Sequence, residues 1–251
     1  MRFKEFWDKE AENYRKNQWE KGGVAKFDYL QTKIKLLKFL NPSSKDSILE
    51  IGCGGGTWTK IVSKKCKRLV ALDISECMIK KAKKYVVSKK VKFIRNDFMK
   101  QNFKEKFDKL FTVRAIEYFG DKSRFIKKSY GLLKPFGKIV IITKSKSCLW
   151  DIIYKMRWKK TKFTQKKINA ISLMRILTKN GFIDIGIQPA IIRLPIFASG
   201  NEELPLIPRK HEKYFLKLFS FVLKITNNLP RELLLLLAFI SESYVVFATK
   251  K

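Results

Sequence analysis

The chain has 251 residues and a formal net charge of +33, because 55 lysine and arginine residues outnumber 22 aspartate and glutamate residues. Its hydrophobic fraction of 45% is ordinary for a globular protein, and its length is enough for one sizeable α/β core with an appended element. Four cysteines without a C-x-x-C pair and a single histidine exclude the ligand spacing of a zinc site, so we expect no metal. So high a positive charge attracts nucleic acid, anionic lipid or an acidic substrate, unless the evenly spread lysines reflect only a compositional bias.

The compartment is indicated by the same composition. Unpaired cysteines are typical of reduced, partly buried thiols in the cytoplasm. The N-terminal stretch MRFKEFWDKEAENY mixes both charges with aromatic residues and lacks the apolar core of a signal peptide. The apolar run Leu233 to Ile240 has only eight residues, whereas a helix that spans a bilayer needs about 20. We therefore expect a cytoplasmic protein, with a peripheral position on the inner face of a membrane as an alternative.

Residues 2 to about 40 are predicted to form two helices that are separated by Gly22-Gly23. Apolar residues recur at helical spacing in the second helix, and Asn41-Pro42 ends it. We expect the large aromatic residues of the first helix to dock it on the core, and the alternative is that Tyr14 or Trp19 stacks on a bound ligand. These aromatic residues are Phe6, Trp7, Tyr14 and Trp19.

A strand, a glycine-rich turn and a helix follow in the stretch Ser47 to Val62, SILEIGCGGGTWTKIV. This order is the local geometry of a nucleotide-binding crevice, because glycines allow a sharp turn and the helix N-terminus offers free N–H groups. A dinucleotide fingerprint needs its third glycine at position 57, where this chain has Thr57, and the Gly-Lys-Ser/Thr of a P-loop does not occur here.

The second strand is predicted from Lys67 to Ile74 and carries Asp73, which stands 21 residues after Gly52. An acid at this distance, near the end of the second strand, typically bonds the two ribose hydroxyls of a nucleoside. A carboxylate suits that role because it accepts two hydrogen bonds side by side.

Strands and helices then alternate, which predicts a parallel sheet with right-handed crossovers. Asn180-Gly181 is typical of a helix C-terminus. The predicted elements are helix Glu76–Val87, strand Val91–Asp97, strand Phe107–Ile116, helix Lys122–Leu133, strand Lys138–Thr143, a helix from Thr164 to Asn180, a strand from Phe182 to about Ile187, and strand Ser243–Thr249.

Together these features resemble the class I S-adenosylmethionine (SAM) dependent methyltransferases, above all the families that modify quinones, lipids, sugars and other small metabolites. The resemblance covers residues 45–145 and implies a Rossmann-like α/β fold with a seven-stranded, mostly parallel sheet whose last strand is antiparallel. Phe136 replaces a glycine that is usual before the fifth strand, which suggests an altered turn. The motifs that carry the resemblance are E-I-G-C-G-G-G from Glu50, Asp73, Asp97-Phe98, V-R-A-I-E-Y-F from Val113, and Leu133-Lys134-Pro135.

The resemblance also implies which residues bind the cofactor SAM. Glu50 would place a negative charge near the positive sulfonium, Ile74 would lie against the adenine, and Asp97 would bind the adenine amino group, unless it only caps a turn. The N-terminal helices in residues 1–41 would lie over the cofactor. The full predicted set is Glu50, Gly52, Cys53, Gly54, Gly56, Asp73, Ile74, Asp97, Phe98, Val113 and Arg114.

No catalytic base can be named from the sequence. The sulfonium methyl is already activated, so the enzyme mainly aligns the acceptor and excludes water. A hydroxyl acceptor would need a base, for which Glu117, Tyr118 and His211 are candidates. Glu117 could equally cap a helix, and a lone surface histidine is the alternative for His211.

About fifty residues, 188–242, separate the sixth strand from the last and are predicted to be a helical insertion within a single domain of residues 1–251. Its first part is rich in proline, from Pro189 onward, and is predicted to be an extended loop. A helix from Arg209 to Asn228 follows and has a wide apolar face beside a lysine stripe. This insertion could form a lid over a small-molecule pocket, rest on an anionic membrane surface, or simply add to the core.

Three functions are consistent with the sequence. We expect methyl transfer to a small-molecule or lipid acceptor, because no Asn/Asp-Pro-Pro-Tyr/Phe motif follows the fourth strand. An RNA methyltransferase is the first alternative, since basic and aromatic residues are interleaved over residues 145–168. A non-catalytic SAM-binding protein is the second alternative. The sequence does not indicate the oligomeric state.

Overall fold

The computed structural model describes residues 3–146, 166–192 and 209–251. In this part of the chain, seven strands form one mixed sheet in the order β3-β2-β1-β4-β5-β7-β6. The first five strands of that order are parallel, and β7 runs antiparallel to both of its neighbours. The predicted fold class is therefore confirmed. The strands are β1 (Ser47–Ile51), β2 (Arg68–Asp73), β3 (Val91–Arg95), β4 (Phe107–Val113), β5 (Leu133–Lys144), β6 (Phe182–Ile191) and β7 (Ser243–Lys250).

Helices precede the sheet and connect its strands. The described residues also contain a π-helical turn at Lys16–Glu20 and short 3-10 turns at Ile116–Tyr118 and Thr226–Asn228. The α-helices are α1 (Phe3–Glu10), α2 (Gly22–Leu40), α3 (Thr57–Val62), α4 (Glu76–Tyr85), α5 (Lys122–Leu132), α6 (Ala170–Lys179), α7 (Arg209–Ile225) and α8 (Arg231–Ile240).

The strand order reverses beside β1, which pairs with β2 on one side and with β4 on the other. Connections leave β1 and β4 toward opposite halves of the sheet, so the chain opens a crevice at the carboxyl ends of these strands. Ligands bind at this position in open α/β sheets. The topology therefore places the glycine turn, the end of β2 and the end of β4 around one crevice.

The core lies on both faces of the sheet, as the alternation of side chains along a strand requires. On β1, Leu49 belongs to an apolar cluster that includes Phe125 of α5 and Leu173 of α6. Ile48 faces the other way and packs in a cluster that includes Leu36 of α2. All of β1 is buried, because helices cover both faces.

Several predicted boundaries were wrong. Strand β4 ends at Val113 rather than Ile116, Gly22 begins α2 rather than separating two helices, and three further differences have identifiable causes. Strand β5 begins at Leu133, because Phe107 of β4 pairs with Leu133 before the register shifts. The helix predicted from Thr164 begins at Ala170, since the side chain of Asn169 caps it by accepting from Ser172 N at 2.7 Å. Residues 166–169 are not helical, and Thr164 lies outside the described residues.

The third correction concerns the start of the insertion. Strand β6 continues to Ile191, so Pro189 stands within a strand rather than in the predicted loop. A proline is tolerated there because β6 is the edge strand of the sheet, where one row of N–H groups has no partner strand. The remaining residues of the predicted loop, 193–208, lie outside the described residues.

Helices α7 and α8 of the insertion pack on the domain. Phe219 and Leu223 of α7 contact a cluster that contains Val24 and Phe27 of α2, and Ala238 of α8 is buried in the main core. Among the described helices, none is both long and apolar enough to cross a bilayer.

Candidate functional site

A cavity of about 270 Å³ opens at the carboxyl ends of β1, β2 and β4. Its wall combines short segments that are far apart in sequence, because each parallel strand ends at the same edge of the sheet. These segments are the turn after β1 (Gly52, Gly54), the end of β2 (Asp73, Ile74), the turn after β3 (Asn96, Asp97, Phe98, Met99), the end of β4 (Val113, Arg114, Ala115) and the N-terminal residues Trp7 and Tyr14.

The turn after β1 depends on glycines at specific positions. Gly52, Gly54 and Gly56 all have positive φ, at 76°, 51° and 84°. A Cβ on Gly52 would lie 2.3 Å from the Cβ of Ala115, so only glycine allows β1 and the end of β4 to approach this closely. A Cβ on Gly54 would lie 3.6 Å from Cε1 of Tyr14, inside the cavity.

Asp73 links the turn to the end of β2. Its Oδ2 accepts a hydrogen bond from the backbone N of Gly54 at 2.8 Å, and its Oδ1 accepts one from Ser75 N at 2.9 Å. Burial raises the pKa of this carboxyl, and the backbone hydrogen bonds oppose that effect. Each oxygen retains a further lone pair that can accept from a ligand hydroxyl.

Glu50 lies beneath the turn and outside the lining of the cavity. Its Oε2 accepts from the hydroxyl of Thr59 at 2.6 Å, which ties the end of β1 to α3. Burial raises the pKa of Glu50 to about 8, because it disfavours the charged form. Cys53 and Gly56 also lie outside the lining, and Gly56 packs against α4.

The turn after β3 forms the next part of the wall. Oδ1 of Asp97 accepts from Met99 N at 2.8 Å, so the side chain caps this turn while it lines the cavity. Phe98 also lines the cavity, although most of its ring packs in the core against Phe119 and Phe125. Asn96 lines it as well, a role that no pattern in the sequence had indicated.

Arg114 at the end of β4 is held by partners that are remote in sequence. Its Nη2 lies 3.1 Å from Oε2 of Glu242 and 3.9 Å from Oδ2 of Asp28. Burial opposes the positive charge, but these two carboxylates outweigh it and hold the pKa of Arg114 above its ordinary value. The residue has a positive φ of 54°, and its guanidinium faces the ring of Trp19 at 5.2 Å.

Aromatic side chains from the N-terminal segment complete the wall. Trp7 contacts both Tyr14 and Tyr118 edge to face, with ring centroids 5.5 and 5.1 Å apart. Burial raises the pKa of Tyr14 to about 12, so its hydroxyl stays protonated. Trp19 instead docks on the core, edge to face with Trp58 at 4.9 Å. The aromatic residues of this segment are therefore divided between the core and the cavity.

The three candidate bases occupy different places. Tyr118 lines the cavity. Glu117 is buried outside the lining, where its Oε1 accepts from Thr143 Oγ1 at 3.0 Å and from Lys144 N at 2.7 Å and so joins β4 to β5. His211 lies exposed on α7, outside the lining. The structure thus groups Tyr118, and not Glu117 or His211, with the predicted cofactor residues.

Comparisons with known proteins match part of this chain to one family model. Residues 49–141 match the family model described as a methyltransferase domain. The malonyl-[acyl-carrier protein] O-methyltransferase of Priestia megaterium is 34% identical over 99 residues, which cover 39% of this chain and 36% of that relative. The matched segment thus spans about a third of that relative's length.

Two solved structures share the fold over the whole chain. A SAM-dependent methyltransferase from Thermotoga maritima superposes with a TM-score of 0.65 at 20% identity, and all of both chains is covered. Phosphoethanolamine N-methyltransferase 2 of Haemonchus contortus, in complex with SAM, gives a TM-score of 0.64 at 18% identity and covers 100% of this chain and 60% of that one. At this identity the likeness shows the fold.

Proposed function

Residues 49–141 are a class I SAM-dependent methyltransferase domain, and from this premise we propose that the chain binds SAM in the cavity and transfers its methyl group to a small-molecule or lipid-like acceptor. The observation that carries the proposal is the link between Gly54 and Asp73, where a glycine turn and a buried carboxylate face one cavity. This combination suits SAM. Its ribose hydroxyls donate hydrogen bonds to a carboxylate, and its amino-acid part needs backbone groups that no side chain covers.

The residues present fit such a ligand. A Cβ on Gly54 would reach toward Tyr14 and Met78, both of which line the cavity, so the missing side chain keeps space open beside the turn. Asp73 would accept from the ribose hydroxyls through lone pairs that the backbone leaves free. Asp97 and Asn96 would accept from or donate to the adenine edge, and Ile74 would pack against its face.

At the other end of the cavity, the chain's own residues would position the acceptor. SAM supplies a methyl group that its sulfonium already activates, so the acceptor needs mainly an in-line approach. Trp7, Tyr14 and Tyr118 form an aromatic wall that would exclude water from this approach. Tyr118 is the candidate for contacting an acceptor hydroxyl, because it lines the cavity and Glu117 does not.

The acceptor class is inferred from the relatives and from the sequence. The relatives described above are named for malonyl-[acyl-carrier protein] and phosphoethanolamine, which favours a small or carrier-bound acceptor over RNA. Most of the basic stretch that suggested RNA, residues 147–165, lies outside the described residues.

The first test is transfer of labelled methyl from SAM to an extract of the source cells, separated into lipid, RNA and small polar fractions. Label in the lipid or small polar fraction supports the proposal, and label in RNA overturns the acceptor class. Absence of label in every fraction, with SAM bound, would instead indicate a non-catalytic SAM-binding protein.

A second test concerns the binding residue Asp73. In Asp73→Asn an amide N–H₂ would face a backbone N–H donor, so we expect calorimetry to show SAM affinity at least about tenfold lower. Asp184→Asn is the matched control, because Asp184 is exposed on β6 and asparagine tolerates its positive φ of 50°. Unchanged SAM affinity in Asp73→Asn would contradict the proposed ribose contact.

We also propose that α7 rests on an anionic membrane surface. Four apolar side chains are spaced to form one stripe along this helix and are about half exposed or more: Tyr214 (60%), Leu218 (54%), Phe221 (61%) and Ile225 (49%). Three exposed lysines, Lys213, Lys217 and Lys224, are spaced to form a second stripe beside the first. An apolar stripe with lysines along its edge matches a bilayer surface that presents anionic head groups.

Vesicle sedimentation tests this contact. We expect binding to vesicles that contain phosphatidylglycerol, and at least about tenfold weaker binding by Leu218→Ser/Phe221→Ser, because two large apolar side chains no longer enter the lipid. Leu30→Ser/Ile34→Ser on α2 is the matched control, since these apolar residues are also about half exposed, at 49% and 47%. Equal loss in both double variants, or equal binding to neutral phosphatidylcholine vesicles, would contradict the proposal.

A further inference from the structure

The wall of the cavity continues beyond Tyr118 to Phe119 and Gly120, and a lysine side chain lies beside each of these last two residues. The ammonium group of Lys122 donates a hydrogen bond to the backbone carbonyl of Phe119. The Nζ of Lys166 lies 3.9 Å from the position that a Cβ would take on Gly120. The two positive groups come from different elements, since Lys122 begins α5 and Lys166 precedes α6.

The backbone fixes Lys166 in this place. Its N–H donates to the carbonyl of Glu117 at 3.0 Å, and Glu117 lies in the 3-10 turn Ile116–Tyr118 that follows β4. The parallel bridge between Ser145 and Ile168 holds the same segment beside the end of β5. Backbone contacts thus hold Lys166 next to Gly120, which lines the cavity.

The two lysines interact unfavourably as they stand. Burial is the largest of the causes that lower the pKa of Lys122 to about 8. Glu117 opposes this effect, and the positive charge of Lys166 adds to it. In the described part of the chain, neither ammonium group has a carboxylate within ion-pair distance. An anion bound between them would relieve this repulsion.

The next charged groups along the end of β5 are already paired with one another or buried. Glu242 is engaged by Arg114 at 3.1 Å. Lys144 also lies in this region, where burial and the charges of Arg114 and Lys167 lower its pKa while Glu242 and Glu117 oppose them.

We infer that Lys122 and Lys166 bind an anionic group of the acceptor, a phosphate or a carboxylate, at the Gly120 end of the cavity. This inference rests on the proposed function, because it assigns the substrate class of the same site. The anionic group would lie at the rim, beside both ammonium groups, and the nucleophilic atom of the acceptor would extend inward past Tyr118 toward the methyl group.

The test uses the full chain saturated with S-adenosylhomocysteine, into which inorganic phosphate and, separately, acetate are titrated and followed by NMR chemical shifts. We expect saturable binding of at least one anion, and at least about tenfold weaker binding by Lys122→Gln/Lys166→Gln, because two charge-assisted contacts are lost. Phosphate bound more tightly than acetate would assign a phosphate-bearing acceptor, and the reverse order a carboxylate. The matched control is Lys127→Gln/Lys138→Gln, which removes the same charge from exposed positions.

Equal affinity of the double variant and the unmodified chain would overturn the inference, and so would an equal loss in the control, which would show a general charge effect. The two proposals fail separately. A chain that does not bind S-adenosylhomocysteine contradicts the proposed function, whereas one that binds it but takes neither anion contradicts only the role of the two lysines.

Discussion

At the scale of single residues, the glycine turn shows how a missing side chain creates a binding surface. Gly54 and Gly55 are neighbours with different constraints. Gly54 has a φ of 51° and faces Tyr14 across the cavity, whereas a Cβ on Gly55 would meet nothing within 4 Å. A side chain at Gly54 would therefore enter the cavity, whereas a side chain at Gly55 would not.

This contrast predicts the outcome of two alanine substitutions. Gly54→Ala should lower the free energy of unfolding by about 1 kcal/mol through its positive φ, and should weaken SAM binding because the new methyl group enters the cavity. Gly55→Ala is the control and should change neither quantity appreciably. Urea unfolding and calorimetry measure the two effects, and equal SAM affinity in the two variants would contradict the assignment of Gly54.

Glu50 gives a pH dependence with a definite sign. Burial raises its pKa from 4.5 to about 8 in the folded protein, so between these values the unfolded chain has released a proton that the folded chain still holds. The contribution of Glu50 to stability therefore falls as pH rises from about 4.5 to about 8, and is constant beyond that range.

Glu50→Gln should remove this dependence, because glutamine keeps an oxygen for the hydroxyl of Thr59 but does not titrate. The loss of unfolding free energy between about pH 5 and pH 8 should be smaller in the variant by roughly 2–4 kcal/mol. Denaturant unfolding at the two pH values measures it, with the exposed Glu232→Gln as control. Parallel pH profiles for Glu50→Gln and the unmodified chain would exclude a buried, titrating Glu50.

At the scale of elements, the pairing of β6 with β7 depends on one close contact. Gly186 on β6 lies beside Phe247 on β7, and a Cβ on Gly186 would come within 2.2 Å of that ring. Phe247 stacks in turn on Phe39 of α2, with ring centroids 4.2 Å apart and planes at 11°. The glycine therefore lets the aromatic ring lie flat between the edge strand and α2.

Gly186→Ala should lower the free energy of unfolding by about 1–3 kcal/mol, because the ring and the strand must separate. Gly131→Ala is the matched control, since a Cβ there would meet nothing within 4 Å near the end of α5. We expect the control to raise stability by up to about 1 kcal/mol through its higher helix propensity. Thermal unfolding compares the two, and equal effects would contradict the role of the contact.

At the scale of the whole molecule, the net charge of +33 works against the compact state. Lysines repel one another over the surface. Few of the described ion pairs are buried, and the pair of Arg114 with Glu242 is one of these. Self-repulsion of this kind is screened by salt over a Debye length of about 10 Å at 0.1 M ionic strength.

Added sodium chloride should therefore raise the melting temperature of this protein. Between about 0.02 M and 0.3 M salt we expect a rise of several degrees, which corresponds to about 1 kcal/mol for a domain of this size. Differential scanning calorimetry measures it. A melting temperature that stays constant or falls with salt would show that the lysines are too far apart to destabilise the fold.

The sequence by itself determined the alternation of strands and helices over residues 45–145, the glycine turn and the position of Asp73 at the end of the second strand. These features depend on local chemistry: a buried apolar strand, glycines that allow positive φ, and an acid at the end of the next strand. The same locality explains why the helix boundary near Thr164 was wrong, since the side-chain cap at Asn169 competes with a longer helical pattern.

Only the tertiary structure decided which residues share the cavity. It brought Trp7 and Tyr14 to the end of β4, placed Glu50 beneath the turn, and paired Arg114 with Glu242 across 128 positions of sequence. It likewise set Lys166 beside Gly120. Contacts between such distant residues depend on how parallel strands and their helices pack, and no local pattern carries that information, because each side chain's partners are fixed only when the sheet has formed.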